Sequence, residues 1–221
     1  MTFTLTSIRD EIEVELRDVS NVEWSTAQLD ESVKLTLDRY TKVAPRPRSS
    51  ALTGISGRTV TLSATAPGGL GTTDYAALIK VTSVEYPISQ WPPRYVTFDV
   101  YADVLRMHVA GELVSEAVNV RFDSLHTLDG SGGTIPDAHR TAFVWGGVAA
   151  ALRQRAIDAT EALAIQPDYD SRLRRLADEY DARFRLALDG IRSERGIGFG
   201  GRYRPDTNYG DSQSIVTGPP G

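Results

Sequence analysis

The apolar residues of this 221-residue chain change period twice, from 3.6 to 2 near residue 51 and back to 3.6 after residue 133. A helix buries every third or fourth residue and a strand every second, so the order of the two patterns constrains the architecture more than any single motif. Residues 7–19 set Ile8, Ile12, Leu16 and Val19 on one face of a short helix opened by Thr6 or Ser7, with Asp10, Glu11, Glu13 and Glu15 opposite. A second helix starts at Ser25-Thr26-Ala27-Gln28, where Ser25 and Gln28 fit a reciprocal capping box, and continues through Leu29, Val33, Leu37 and Tyr40. Pro45 and Pro47 end it and begin an extended linker.

Between residues 51 and 123 the pattern is that of short strands: Thr59–Leu62, Leu78–Val84, Tyr95–Tyr101, Val104–Val109 and Val118–Phe122. Turn residues at Gly68-Gly69-Leu70-Gly71, Pro92-Pro93, Ala102-Asp103 and Gly111-Glu112 separate them, as in a small antiparallel sandwich or barrel. After the turn Asp129–Gly133, Thr134 is expected to cap a long helix with Pro136 and Asp137 in its first turn, running to about Leu163. Its centre, Gly146-Gly147-Val148-Ala149-Ala150-Ala151, is built of small residues that permit close approach by neighbouring helices. Pro167 restarts a last helix with Tyr169, Leu173, Leu176, Tyr180, Phe184, Leu188 and Ile191 on one stripe. These two helices predict an antiparallel hairpin with arms of about 40 Å.

The expected fold is therefore α+β. An N-terminal helix pair (1–48) packs with a long C-terminal antiparallel helix pair (134–195) as one helical domain. An antiparallel β-sandwich or barrel module (49–128) is inserted between them, and an extended C-terminal tail (196–221) follows. That tail has seven glycines, three prolines and no apolar period, so its own contacts do not offset the entropy of ordering it. Arg202, Tyr203, Arg204 and Tyr209 are its candidate anchors for a partner, because Arg and Tyr dominate interface hot spots.

Composition narrows the chemistry. No cysteine is present, which removes disulfides, thiolate metal sites and cysteine nucleophiles. The net charge of −5 argues against a dedicated nucleic-acid binder, and with only Lys34, Lys42 and Lys80 as lysines the basic residues are nearly all Arg, which favours interfaces. No stretch reaches the roughly 20 apolar residues of a membrane span, and Met1-Thr2-Phe3-Thr4 lacks signal-peptide features, so synthesis in the cytoplasm is expected. No catalytic motif is found. Asp123, His126 and Asp129 read as polar turn residues rather than a metal site or relay. The glycines of Gly196–Gly201 follow a helix and open none, so they read as a hinge, not a phosphate loop. Tyr86, Trp91, Tyr95, Phe98 and Tyr101 read as sandwich core and loop packing ahead of a sugar or peptide groove. No catalytic, metal or cofactor residue is assigned, and the protein is expected not to be an enzyme.

The order of helix pair, β insertion, long helix pair and tail resembles the head-to-tail adaptor, or head-completion connector, family of tailed bacteriophages. The resemblance covers most of the chain. It is carried by Thr6-Ser7-Ile8, Thr26-Ala27-Gln28-Leu29, Tyr86-Pro87, Trp91-Pro92, Val118-Asn119-Val120-Arg121-Phe122, His126-Thr127-Leu128-Asp129 and Thr134-Ile135-Pro136. Many members of that family are bare helical bundles, from which the β module departs.

The resemblance implies a non-enzymatic virion protein of the neck. It would form a ring, commonly of twelve copies, between the portal and a tail, stopper or tail-terminator protein, and continue the channel through which DNA passes. It implies further that Arg202, Tyr203, Arg204 and Tyr209 dock on the portal and that the β module reaches toward capsid or tail. Gly146, Gly147, Ala150, Arg153, Tyr169, Arg172, Leu176 and Tyr180 would serve packing between subunits. The alternatives are another neck, tail-completion or decoration protein, and a monomeric carbohydrate- or peptide-binding module.

Overall fold

The computed structural model describes residues 3–18, 20, 22–63, 69–161 and 167–198. The chain is an α+β protein of two compact units, one within Met1–Arg46 and Leu125–Gly200, the other within Pro47–Ser124. The anchors Arg202, Tyr203, Arg204 and Tyr209 lie outside the described residues.

The helical unit begins with α1 (Leu5–Leu16) and α2 (Thr26–Val43). The first helix is opened by Thr4, not Thr6 or Ser7: the Thr4 hydroxyl accepts the Ser7 N–H while the Ser7 hydroxyl accepts the Thr4 N–H. Phe3 and Ile8, immediately before that cap and four residues after it, are both buried in one cluster, the pattern of a hydrophobic staple. Arg17 closes the helix in the left-handed region (φ 59°). Asp18 then accepts the N–H groups of Val22, Glu23 and Trp24, all at 2.9 Å, which fixes the turn into α2. The reciprocal Ser25 and Gln28 box opens α2 as the sequence indicates.

After the other unit the chain returns through a 3-10 turn (Asp137–His139) into α4 (Arg140–Glu161) and then α5 (Pro167–Gly198). Thr134 does not cap α4. Its hydroxyl oxygen accepts the Thr127 N–H at 2.9 Å and lies 3.0 Å from His126 Nδ1, so the cap residue is spent on the preceding turn and the helix starts six residues later. Nor do residues 196–198 form a hinge, because α5 continues through Gly198. At 1.5 Å per residue the arms are unequal, about 33 Å for α4 and about 48 Å for α5.

The four helices share one core that includes Ile8, Ile12, Leu29, Val33, Tyr40, Phe143, Val148, Leu152, Leu173, Ala177, Phe184 and Leu188. Gly146 makes that convergence possible: a Cβ there would meet Thr36 Cγ2 at 2.6 Å and the Phe184 ring at 3.1 Å. A Cβ on Gly147 would meet Ile12.

The other unit contains β1 (Arg46–Gly57), β2 (Thr59–Thr61), α3 (Thr72–Ala76), β3 (Leu78–Glu85), β4 (Tyr95–Val96), β5 (Phe98–Tyr101), β6 (Val104–Met107) and β7 (Leu113–Ser124). One sheet has the order β1-β7-β3-β4 and the other β2-β6-β5. In the first, β3 runs antiparallel to both β7 and β4, and in the second β6 runs antiparallel to β2 and β5. A single cluster, including Leu52, Ile55, Val60, Val84, Leu105, Met107, Val118, Val120 and Phe122, draws on both sheets. β1 occupies most of the segment expected to be a linker, and Pro47 is tolerated in it because the strand lies at a sheet edge.

Candidate subunit-contact surface

α5 buries Leu173, Ala177, Phe184, Leu188 and Ile191 against the helical core, which leaves Tyr169, Arg172, Leu176 and Tyr180 along one border of the helix. These four are among the residues for which the resemblance implies subunit packing, and they line one cleft of about 550 Å³. Trp24, Val148, Leu152 and Leu173 contribute its buried apolar surface, while Val14, Glu15, Arg17 and Glu23 supply the opposite border. Trp24 is held by its indole N–H, which donates to the Ala151 carbonyl at 3.3 Å.

Two tyrosine hydroxyls bridge the borders: Tyr180 donates to Glu15 at 2.7 Å and Tyr169 to Glu23 at 3.4 Å. Burial, reinforced by the Glu15 carboxylate that accepts its proton, pushes the Tyr180 phenol up to about 12. It therefore stays a neutral donor at neutral pH. Leu176, placed by its period on the buried stripe, is 41% exposed, and Val14 across from it is 62% exposed. The cleft thus combines apolar surface left open to water with tyrosine hydroxyls already paired to carboxylates, a combination suited to recognition.

On its other flank α5 carries Asp181, 2% exposed and paired with Arg39 of α2 at 2.7 Å, Arg153 of α4 at 3.1 Å and Arg185 of α5 at 2.7 Å. Burial pushes the carboxyl up, but the guanidinium groups of Arg153 and Arg39 outweigh it and hold the group below the ordinary range. Burial also pushes the Arg153 guanidinium down, and Asp181 with Asp178 reverses that and raises it. Arg153, expected between subunits, is thereby committed to tying α4 to α5.

The small residues also have neighbours within this chain. Gly146 and Gly147 are filled by Thr36, Phe184 and Ile12 of this chain, so the crowding they relieve is internal to one helical unit. Ala150 is partly buried in α4.

The remaining candidates separate. Asp123 pairs with Lys80 at 3.5 Å, and Asp129 accepts the N–H groups of Ser131 and Gly132. His126 is buried, with Nε2 2.9 Å from the Ala44 carbonyl and its ring edge-on to Tyr40 at 5.2 Å. Among the described residues no group of three or more His, Cys, Asp or Glu could hold a metal ion, and no helix is long and apolar enough to cross a membrane. Of the five aromatics read as core or loop packing, Tyr86 and Phe98 pack against the β core, and Tyr95 lies under Arg121 at 5.1 Å. Trp91 and Tyr101 do not pack inward and are 93% and 86% exposed.

A scan against models of known protein families gives no match, and neither does a comparison with curated proteins.

Proposed function

We propose that the protein is a structural component of a tailed-phage virion, an adaptor that assembles as a ring between portal and tail and continues the DNA channel. Around such an axis each copy must present one surface to the preceding copy and a different one to the next, because a heterologous contact that closes gives a ring. The observation that carries this reading is the cleft bordered by Tyr169, Arg172, Leu176 and Tyr180: buried apolar surface and an open apolar rim at Leu176 and Val14. The net charge of −5 suits a conduit, since strong phosphate contacts would hold DNA in place. In this reading Arg202, Tyr203, Arg204 and Tyr209 dock on the portal, the β unit faces capsid or tail components, and the protein catalyses nothing.

A symmetric map of the particle neck tests the ring directly. Deleting residues 199–221 is expected to leave helix content and unfolding midpoint unchanged while abolishing portal attachment. Attachment retained by that truncation removes the docking role. The exposed Trp91 and Tyr101 favour the rival reading, a carbohydrate- or peptide-binding module. A chain absent from the neck map, with ligand binding lost on Trp91→Ala, would establish the rival instead.

A further inference from the structure

The outward face of α5 carries a second pattern, which shares Arg172 and Leu176 with the border of the cleft and bears on the free protein before any ring assembles. Arg172, Leu176, Glu179, Arg183, Leu186 and Gly190 are all exposed, and their steps of 4, 3, 4, 3 and 4 place them in one row along the helix. The steps are the same in either direction. When a second α5 is laid antiparallel against this row, centred level with Asp181, Leu176 of one copy falls opposite Leu186 of the other. Glu179 then falls opposite Arg183, and Arg172 opposite Gly190. Each of these pairs occurs twice.

We propose that the free protein pairs with a second copy of itself through this row, the two α5 helices antiparallel about a two-fold axis. Leu186 is 75% exposed and Leu176 41%, apolar surface that no other described residue covers and that the pairing removes from water. In the paired register Leu186 of the second copy reaches the border of the cleft at Leu176, where Val14 is 62% exposed. Glu179 and Arg183 already form an ion pair at 2.6 Å within the helix, and the second copy converts it into a square of alternating charges. Gly190 has no atom within 4 Å of the place a Cβ would take, which leaves room for the Arg172 side chain opposite.

Register is enforced by repulsion as well as attraction. Moving the centre by two residues toward either end sets Glu179 against Glu179 or Arg183 against Arg183, each a like-charge contact that disfavours the slip. The strength is modest. From Arg172 to Gly190 is about 27 Å of helix, and a strip one helix wide falls well short of the roughly 1,200 Å² that a stable interface buries. The dimer is therefore concentration dependent and weakened by salt.

Sedimentation velocity on the full chain, from about 1 μM to about 500 μM, tests the pairing. The mass is expected to rise toward two copies with concentration. Glu179→Arg and Arg183→Glu each put like charges face to face twice and are expected to weaken association at least tenfold. The double exchange Glu179→Arg with Arg183→Glu restores opposite charges and is expected to recover it. Leu186→Ala is expected to weaken association without disturbing helix content, which circular dichroism checks in every variant. A wild-type chain of constant single-copy mass over that range overturns the proposal. So does a double exchange that stays as weak as the single ones, or self-association unaffected by all four variants.

Discussion

At Asp181 one carboxylate serves guanidinium groups from three helices, Arg39, Arg153 and Arg185, and its consequences are readable in pH. The folded carboxyl titrates below its ordinary value of about 3.9. The unfolded chain therefore binds the proton first. The stability this group contributes is present in full above the ordinary value and is lost as pH falls through the folded one. Asp18, whose burial pushes its carboxyl up while three backbone N–H groups pull it below the ordinary range, acts in the same direction and the same acid window. Asp181→Asn leaves three arginines without their common acceptor. Breaking a buried pair costs about 3–5 kcal/mol, but Arg153 and Arg185 keep 40% and 67% of their side-chain exposure and can be resolvated. A loss of about 2 kcal/mol at pH 7 is expected by urea denaturation, below that range because the arginines remain partly solvated. The difference from wild type should shrink as pH falls below the ordinary carboxylate value and Asp181 itself is protonated; a difference that stays constant through the acid range would show that charge is not the cause.

Among the elements, α4 is the one on which the helical unit turns, and its two central glycines differ although they are adjacent. At Gly146 a new methyl meets the branched Thr36 at 2.6 Å and the fully buried Phe184 ring at 3.1 Å, neighbours with little freedom to move. Overpacking of about 1–3 kcal/mol exceeds the roughly 1 kcal/mol that Ala gains over Gly in helix propensity. At Gly147 the obstruction is one side chain, the buried Ile12, with Cδ1 the nearer atom and Cγ1 at 3.1 Å; the nearer atom is the end of a chain that can turn about its last bond. Gly146→Ala is expected to lower stability by about 1–2 kcal/mol and Gly147→Ala by less than half as much, measured by chemical denaturation. Equal effects would mean that propensity, not space, decides.

The same elements show what is legible in the sequence and what is not. The Ser25 and Gln28 box of α2 is readable because both residue types belong to the known pairing. Thr4 escapes because its partner is Ser7, not Glu or Gln. β1 escapes because an edge strand needs few apolar residues: Leu52 and Ile55 are its buried side chains, and Pro47, Gly54 and Gly57 mimic a loop. Tyr169, Leu176 and Tyr180 are readable as part of the stripe that also holds Leu173 and Phe184; that they border an open cleft beside Arg172 is not given by spacing. That Arg153 pairs within the chain and that the glycines face inward depend on which helix lies opposite, which periodicity does not specify. Leu186 gives no signal until its exposure is known.

For the molecule as a whole, the two units have separate cores with no residue in common. The chain leaves the helical unit after Arg46 and re-enters it at Leu125, and the two ends are pinned together inside that unit by the His126 to Ala44 hydrogen bond of 2.9 Å. A closure already made by the helical unit costs little to keep when the intervening chain is shortened. Replacing residues 47–124 with a short Gly-Ser linker is expected to leave a cooperatively unfolding helical protein, checked by far-ultraviolet circular dichroism during a urea titration. A non-cooperative transition would mean that the helices need the β strands to fold. The pinned ends also bear on ancestry. A segment whose departure and return points coincide can be acquired, exchanged or lost in a single recombination event without rewriting the host helices, so lineages descended from this protein are free to carry different outgrowths at the same doorway.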